Sequence, residues 1–321
     1  MVKLSNVLVT GGAGFIGSHL VDALMERVEK VCVYDDLSSG SILNLNHWLE
    51  NPRFSFEHID IRTHAIDLTR FDTVFHFAAS PEVRKAISNS ESVFKQNVEA
   101  TFALLEAVRK AENVETFVFS SSSTVYGDAT LIPTPEDYSP LEPISLYGAS
   151  KLACEALIAG YSHSYGFKAA VYRLANIVGP RSSHGVTYDF VQKLKKNPQQ
   201  LEILGDGTQT KSYLYIDDLI SSIFLSLGKL KNGVNIFNVG SEDQVDVKTI
   251  AQIVVEEMGL KDTYMFFTGG VDGGRGWKGD VKNMLLDIRK LKSFGWAPKY
   301  TSAEAIRLTA RALVQSDSIS S

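Results

Sequence analysis

Long apolar runs are missing from this chain of 321 residues. Nothing in it approaches the ~18 consecutive apolar residues of a membrane span, so no membrane association is expected. Cysteine is scarce. The two present, Cys32 and Cys154, fall in an expected buried strand and an expected helix, which reads as two reduced core thiols rather than a disulfide framework. Neither sign of charge dominates: the net charge is −5, which gives no basis for binding nucleic acid or an anionic membrane. The seven histidines show no metal-ligand spacing, and no metal is expected. The opening stretch MVKLSNVLVTGG has too short an apolar run for a secretory leader and leads straight into glycines, so a cytoplasmic protein is expected. No internal repeat is visible.

What is present is an alternation of strand and helix. Short apolar runs at 6–10, 30–34, 73–77, 115–119 and 169–173, with a weaker one at 54–58, read as strands. Between them lie helical patterns at about 15–26, 90–111 and 146–165, the second carrying Phe94, Val98, Leu105 and Val108 at helical spacing. This order predicts an α/β fold, a Rossmann-like doubly wound parallel sheet. After about 175 the pattern loosens into glycine-rich and charged loops. The expected organisation is a dinucleotide-binding domain over 1–175, to which the chain returns near 215–240. A smaller α/β C-terminal lobe occupies most of 176–315, and a polar, frayed tail follows at 316–321. With 321 residues, two lobes are expected rather than one core.

The first turn reads VTGGAGFIGSHL. Gly11, Gly14 and Gly17 stand between a strand and a helix, where a dinucleotide's pyrophosphate needs a tight turn, bare backbone and close helix–sheet packing. The free N–H groups and partial positive charge of the helix start supply the anion site. Phe15 and Ile16 fall in the same turn. The second strand ends in VYDDLSSG, and Asp35 there suits the two hydroxyls of an adenosine ribose. A carboxylate at that place repels a 2′-phosphate and favours NAD over NADP. The competing role is a cap for the segment from Ser41, which Asp36 suits equally well. Asp60, in HIDIR beside Ile61, is a candidate for the adenine amine or a plain turn aspartate.

The run VFSSSSTVYGD raises a sharper question, because four serines follow an apolar strand directly. Small hydroxyls at the carboxyl end of a parallel strand face the ligand side of an open sheet. Further on, SLYGASK places Tyr147 and Lys151 one helical turn apart on one face. A lysine ammonium beside a phenol, with a cationic nicotinamide nearby, lowers the tyrosine pKa and makes a proton acceptor usable near neutral pH. Taken alone, such a pair is common on solvated helices. Its position after the fifth strand of a chain that opens on the glycine turn is what lends it weight.

In its TGGAGFIG opening, its Tyr-Gly-x-x-Lys-like signature and its serine-rich strand end before Val-Tyr-Gly, the sequence resembles the extended short-chain dehydrogenase/reductase family. Within that family it is most similar to the archaeal branch of the UDP-glucose 4-epimerases, over nearly its whole length. The resemblance places the catalytic hydroxyl on Ser122, counted back from Val-Tyr-Gly, with Tyr147 and Lys151 as its partners. It puts Ser120 and Ser121 at the strand end on the nicotinamide side. In FHFAAS it sets Phe77, Ala78 and Ala79 against NAD, while Pro81 stands where the family often has a lysine. Asn97 is implied to tie the cofactor-side loop.

Among substrate residues the resemblance implies Asn176, in YRLANIVGPR, for the diphosphate. In GDGTQTKSYLYIDD it implies Lys211 and Tyr213 in the nucleotide clamp, with Lys211 where arginine is usual; that swap keeps the charge and loses the fork. In GGRGWKGD it implies Arg275 on the diphosphate and Asp280 on the uridine ribose. Arg275 stands five residues before Asp280 where three is usual, and Trp277 takes the usual place. Met284 falls where the family gates the sugar's 2-substituent, and methionine's flexibility would admit more than one sugar.

The implied activity is NAD-dependent 4-epimerisation of a UDP-hexose through a 4-keto sugar, in galactose metabolism, by a homodimer paired through helices 90–111 and 146–165. Family dehydratases and decarboxylases carry an acid before Val-Tyr-Gly. This chain has Ser122, Ser123 and Thr124 there, which argues against those rivals. A net reductase and a non-catalytic NAD sensor are the remaining alternatives.

Overall fold

The computed structural model of the chain describes residues 4–81 and 83–316. Six strands alternate with helices through its first half: β1 (Asn6–Thr10), β2 (Lys30–Asp35), β3 (Phe54–His58), β4 (Thr73–His76), β5 (Thr116–Ser122) and β6 (Lys168–Leu174). With the later strand Val234–Val239 they form one seven-stranded sheet, in the order Val234–Val239, β6, β5, β4, β1, β2, β3. The pairs β3–β2, β2–β1, β1–β4 and β4–β5 are parallel, in registers such as Leu8 to Cys32 and Phe75 to Val118. The doubly wound α/β fold read from the strand–helix alternation is therefore the fold of the chain. From β1 the chain runs outward one way to β3, then starts again on the other side of β1 with β4. The crevice outside the carboxyl ends of β1 and β4 is the place where such sheets take ligands.

The helices follow from their apolar faces. Helix α1 (Phe15–Met25) buries Leu20, Val21 and Leu24. Between β4 and β5 lie α2 (Lys85–Ser88), α3 (Ser90–Phe94) and α4 (Ala100–Ala111), and α5 (Leu146–Tyr165) precedes β6. Leu104, Val108, Cys154 and Ile158 pack with Leu8, Phe117, Phe119 and Val171 in one core. The single helix expected over 90–111 is interrupted: Lys95–Glu99 is a π-helical turn between α3 and α4. The wider turn rotates the register, so Phe94 is exposed, against expectation, while Asn97 is buried. Strand β5 runs on through Ser122, beyond the expected end at 119, because the serine hydroxyls and carbonyls find partners inside.

By its contacts the chain divides into two compact units, residues 1–125, 146–173 and 220–237 in one, and 126–145, 174–219 and 238–321 in the other. The segment 126–145, expected within the first domain, belongs to the second unit. Backbone bonds tie Thr134 to Leu285 and Asp287, and the Tyr126 hydroxyl donates to Asn238 at 2.7 Å. That unit has its own core, built from Phe190, Leu201, Ile203, Ile250, Val254 and Ile306. Its helix Val247–Glu257 is capped by Asp246, whose side chain accepts from the Thr249 N–H. The final helix, Ser302–Ser316, carries through the start of the expected tail, and residues 317–321 lie outside the described residues. Among the described residues no helix is long and apolar enough to cross a membrane, and no group of metal-ligating side chains is gathered. Both cysteines are free and buried.

Candidate active site

The turn after β1 is shaped by what glycine lacks. Gly11 takes a φ of +71°, and a Cβ there would lie 2.5 Å from the Ala78 nitrogen. A Cβ on Gly17 would lie 2.1 Å from the Gly11 carbonyl oxygen. The loop therefore packs tightly on the end of β4 and on its own helix. Gly14 is the N-cap of α1 and brings no side chain to the first turn, which Phe15 and Ile16 begin. Bare backbone at an uncapped helix start is what a pyrophosphate requires.

Asp35 closes β2 beside this turn. It is buried, and its two oxygens accept from the Ala13 N–H at 2.9 Å and the Leu37 N–H at 2.8 Å. Burial pushes its carboxyl up, and those two backbone bonds pull it back down. The capping role that rivalled its ribose role is filled by Ser41, whose side chain accepts from the Leu43 N–H; Asp36 instead holds the Ser38 N–H. Asp60 is committed to Arg62, which reaches it through the backbone N–H, Nε and a terminal nitrogen, and that bonding holds its carboxyl below the usual range. Ile61 joins the core.

At the end of β4 the Phe77 N–H donates to the Thr10 carbonyl, and the chain continues through Ala78 and Ala79. The next residue is held by Asn97: its Oδ1 accepts from the Ser80 N–H at 2.8 Å, and its Nδ2 donates to Ser150 Oγ at 2.8 Å. Ser150 in turn donates to the Tyr147 carbonyl. The π-helical turn thus delivers one amide that ties the cofactor-side loop to α5. The same bare turn and Asp35 fit a dinucleotide.

The strand end and α5 bring three of the predicted groups together. Ser122 is the last residue of β5, and its Oγ accepts from the Thr124 N–H and from Thr124 Oγ1 at 2.9 Å. Its hydroxyl is the group that pulls the Tyr147 phenol down. Lys151 is buried, with Nζ donating to the Ser120 carbonyl at 2.7 Å and lying 5.9 Å from the Tyr147 ring centre. Among the protein's own groups, Lys151 is not one that acts on the Tyr147 phenol; the lowering expected above also calls on a cationic nicotinamide. Burial pushes the phenol up to about 12, and the bond from Ser122 is what pulls it down. Lys151 is itself lowered to about 8 by burial, against the pull of Cys154 and Glu155. The reason is geometric: the ammonium is spent on a carbonyl of β5. Behind it His76 is fully buried between Thr10 and Thr101, and burial, then the Lys151 charge, drop it to about 3.

Sequence reasoning missed two charges next to this group. Glu155 stands one turn after Lys151 on α5, the same spacing that marks Tyr147 and Lys151, and that repeat was the available signal. Its carboxylate accepts from Ser121 Oγ and is clamped by Arg173 of β6 at 2.7 Å, with both charged side chains buried.

In the second unit, residues far apart in sequence form one polar cluster. The short strand Asn283–Met284 pairs with Thr210–Lys211, placing Met284, which is buried, opposite Lys211. Lys211 Nζ donates to Asp280 Oδ1 at 2.5 Å and lies 5.6 Å from the Trp277 ring centre. Tyr213 is buried, and burial and the Asp280 charge raise its phenol. Arg275 forks onto Asp128 at 3.0 and 2.8 Å, and also reaches the Asp280 carbonyl. Asp128 was not anticipated; it directly follows Val-Tyr-Gly. Asn176 donates through Nδ2 to the Ser212 carbonyl at 3.1 Å, leaving its own oxygen side out of that bond.

Comparisons with known proteins agree on one group. The model of the NAD dependent epimerase/dehydratase family matches residues 7–240. A putative UDP-glucose 4-epimerase of Methanocaldococcus jannaschii is 34% identical over 94% of this chain and 96% of its own. Among solved structures, a UDP-galactose 4-epimerase is 43% identical, covering 97% of this chain and 99% of that one, with a TM-score of 0.85. A UDP-glucuronic acid 4-epimerase of Bacillus cereus, in complex with UDP-glucuronic acid and NAD, is 29% identical, covers 97% and 99%, and has a TM-score of 0.86.

Proposed function

The chain belongs to the NAD dependent epimerase/dehydratase family, and from that premise we propose that it interconverts UDP-galactose and UDP-glucose by inverting C4. It is an isomerase resembling UDP-glucose 4-epimerase, and NAD is its cofactor. The observation that carries the reading is Lys151, bonded to the Ser120 carbonyl and 5.9 Å from the Tyr147 ring centre, at the end of a strand whose last residues Ser120, Ser121 and Ser122 offer hydroxyls.

In this reading Gly11, Gly14, Phe15, Ile16 and Gly17 cradle the pyrophosphate and Asp35 holds the adenosine ribose. Ile61, Phe77, Ala78 and Ala79 flank the cofactor, Asn97 fixes the loop, and Ser120 lies on the nicotinamide side. Asp60 faces the adenine only if it gives up part of its bonding to Arg62. Bound NAD supplies the acceptor for the C4 hydride and a positive ring beside the phenol. Tyr147 takes the proton of the 4-hydroxyl, and Ser122 hydrogen-bonds the same oxygen. Lys151 holds the nicotinamide ribose while anchored to Ser120. The 4-keto sugar turns about its diphosphate, held by Asn176, Lys211 and Arg275. Tyr213 and Asp280 serve the nucleotide, Met284 borders the sugar, and Tyr147 then returns the proton.

The first unit is accordingly the NAD-binding part and the second mainly the nucleotide-sugar part. Exposed Phe94 and Phe102, together with Tyr165 on α5, support pairing into a homodimer through these helices, which sedimentation would test. Two buried free thiols support a cytoplasmic setting. Side-by-side assays of UDP-galactose, UDP-N-acetylglucosamine and UDP-glucuronate test the substrate. Turnover of only an N-acetylated or uronic sugar would overturn the hexose assignment.

A further inference from the structure

Three consecutive residues at the end of β5 are each held by one of three residues spaced a turn apart on α5. Ser122 meets Tyr147, the Ser120 carbonyl meets Lys151 Nζ at 2.7 Å, and Ser121 Oγ meets the Glu155 carboxylate. The first two bonds belong to the reacting groups. The third turns the Ser121 side chain inward, onto a carboxylate that is itself clamped. Arg173 donates to Glu155 through Nε at 3.1 and 3.2 Å and through a terminal nitrogen at 2.7 Å. The side chains are 3% and 7% exposed.

A pair this deep is poor value as a source of stability. Two charges must be stripped of water, and well-packed apolar residues of the same size often do as well or better. What an apolar pair would not provide is a fixed acceptor for Ser121. That residue sits between the carbonyl that anchors Lys151 and the hydroxyl that meets Tyr147. A shift of Ser121 therefore moves both anchors at once. Misplacement of ~1 Å in a reacting array costs on the order of a hundredfold in rate.

We infer that Glu155 and Arg173 form a positioning pair for the catalytic group: through Ser121 they lock the end of β5 so that Lys151 and Ser122 are presented to Tyr147 in one geometry. The inference rests on the assignment of Ser122, Tyr147 and Lys151 to the reaction.

Two variants test it. Ser121→Ala leaves the ion pair and every catalytic group in place and removes only the tether. Glu155→Leu with Arg173→Met removes both charges together, so neither is left buried and unpaired. Each is measured for kcat, KM, retained NAD and thermal midpoint. Ultraviolet difference titration against the same protein carrying Tyr147→Phe isolates ionisation of that phenol without any turnover. The groups facing Tyr147 are Ser122, Lys151 and Cys154; those facing Lys151 are His76, Cys154 and Glu155. Ser121→Ala keeps all of them and removes only one hydrogen bond to Glu155.

A positioning role predicts kcat lower by ~10- to 100-fold in both variants, with KM and NAD content held within about twofold. It also predicts a higher titration midpoint for Tyr147 in Ser121→Ala, because a displaced Ser122 no longer pulls the phenol down as far. A fall in thermal midpoint with kcat and titration unchanged would make the pair purely structural and overturn the inference. If the wild type turns over no UDP-hexose, the function proposed above fails instead, and the phenol titration still decides the positioning role.

Discussion

Lys151 Nζ donates to the carbonyl oxygen of Ser120 at 2.7 Å, so the lysine is fixed by the strand that ends in Ser122. The phenol one turn earlier, Tyr147, is bonded by that same strand end rather than by the ammonium. In the proposed reaction, the placing of the proton carrier therefore depends on how β5 meets α5. Burial alone leaves the phenol too weak an acid for a neutral-pH base, and further positive charge beside it is required to bring it into range.

Replacing Tyr147 with phenylalanine removes the proton carrier and leaves the glycine turn and Asp35 untouched. Turnover is expected to fall by ~10²–10⁴-fold while purified protein retains NAD. The assay is kcat alongside cofactor released on denaturation. Near-normal turnover would remove Tyr147 from the role of base.

Asp35 gives the second expectation. Its carboxylate sits at the end of β2 with two backbone N–H bonds already made, and in the proposed ribose site its negative charge would repel a 2′-phosphate. Wild type is expected to bind NAD in clear preference to NADP, and Asp35→Asn to narrow that preference. Calorimetric titration of cofactor-stripped protein measures both. Equal affinity of the wild type for the two cofactors would take Asp35 out of the ribose site.

Much of this architecture could be read from residues alone. The strand–helix alternation locates β1 to β6 because each carries a compact apolar run, and the glycine turn stands out because close packing tolerates no side chain there. What could not be read depends on contacts between distant segments. The π-helical turn at Lys95–Glu99 leaves no mark in an apolar pattern, so Phe94 was placed on the buried stripe and is in fact exposed. The serines at the end of β5 look like the end of a strand, and only their bonds to His76, Glu155 and Lys151 explain why the strand continues. Asp128 carries no signal by itself, since its partner Arg275 lies far along the chain. The one-turn spacing of Tyr147 and Lys151 says nothing about burial, which among the protein's own groups pushes the phenol up.

His76 makes a prediction about acid. It is buried and neutral between two threonines, with a folded pKa near 3 against an ordinary value of 6.5. Between those values the unfolded chain binds a proton that the folded chain does not, so stability falls as pH drops below about 6.5. His76→Gln keeps hydrogen-bonding groups toward Thr10 and Thr101 and has no such proton. Thermal midpoints recorded from neutral to mildly acid pH should decline less steeply in that variant. Parallel declines would assign the acid sensitivity to other groups.

Arg275 tests the nucleotide clamp. Arg275→Ala removes a forked guanidinium now shared between Asp128 and the Asp280 carbonyl. Loss of a charged hydrogen bond of about 1.5–3 kcal/mol corresponds to a rise of roughly 10- to 100-fold in KM. Since the reacting groups lie on β5 and α5, kcat should change far less. A variant with unaltered KM would show that the irregular spacing before Asp280 has taken Arg275 out of substrate binding.

The central claim is that hydride leaves C4 and returns to C4, with no carbon-bound proton exchanged in between. It follows from a strand end that presents Ser122, Ser123 and Thr124, with Thr124 donating to Ser122 and no carboxylate in that motif to take a proton from C5. The direct measurement is mass and NMR analysis of product formed from UDP-galactose in deuterated water, paired with substrate carrying deuterium at C4. The account predicts UDP-glucose free of solvent deuterium on carbon, with the C4 label retained through inversion. Solvent deuterium at C5 or C6, or a stable 4-keto-6-deoxy sugar, would contradict it.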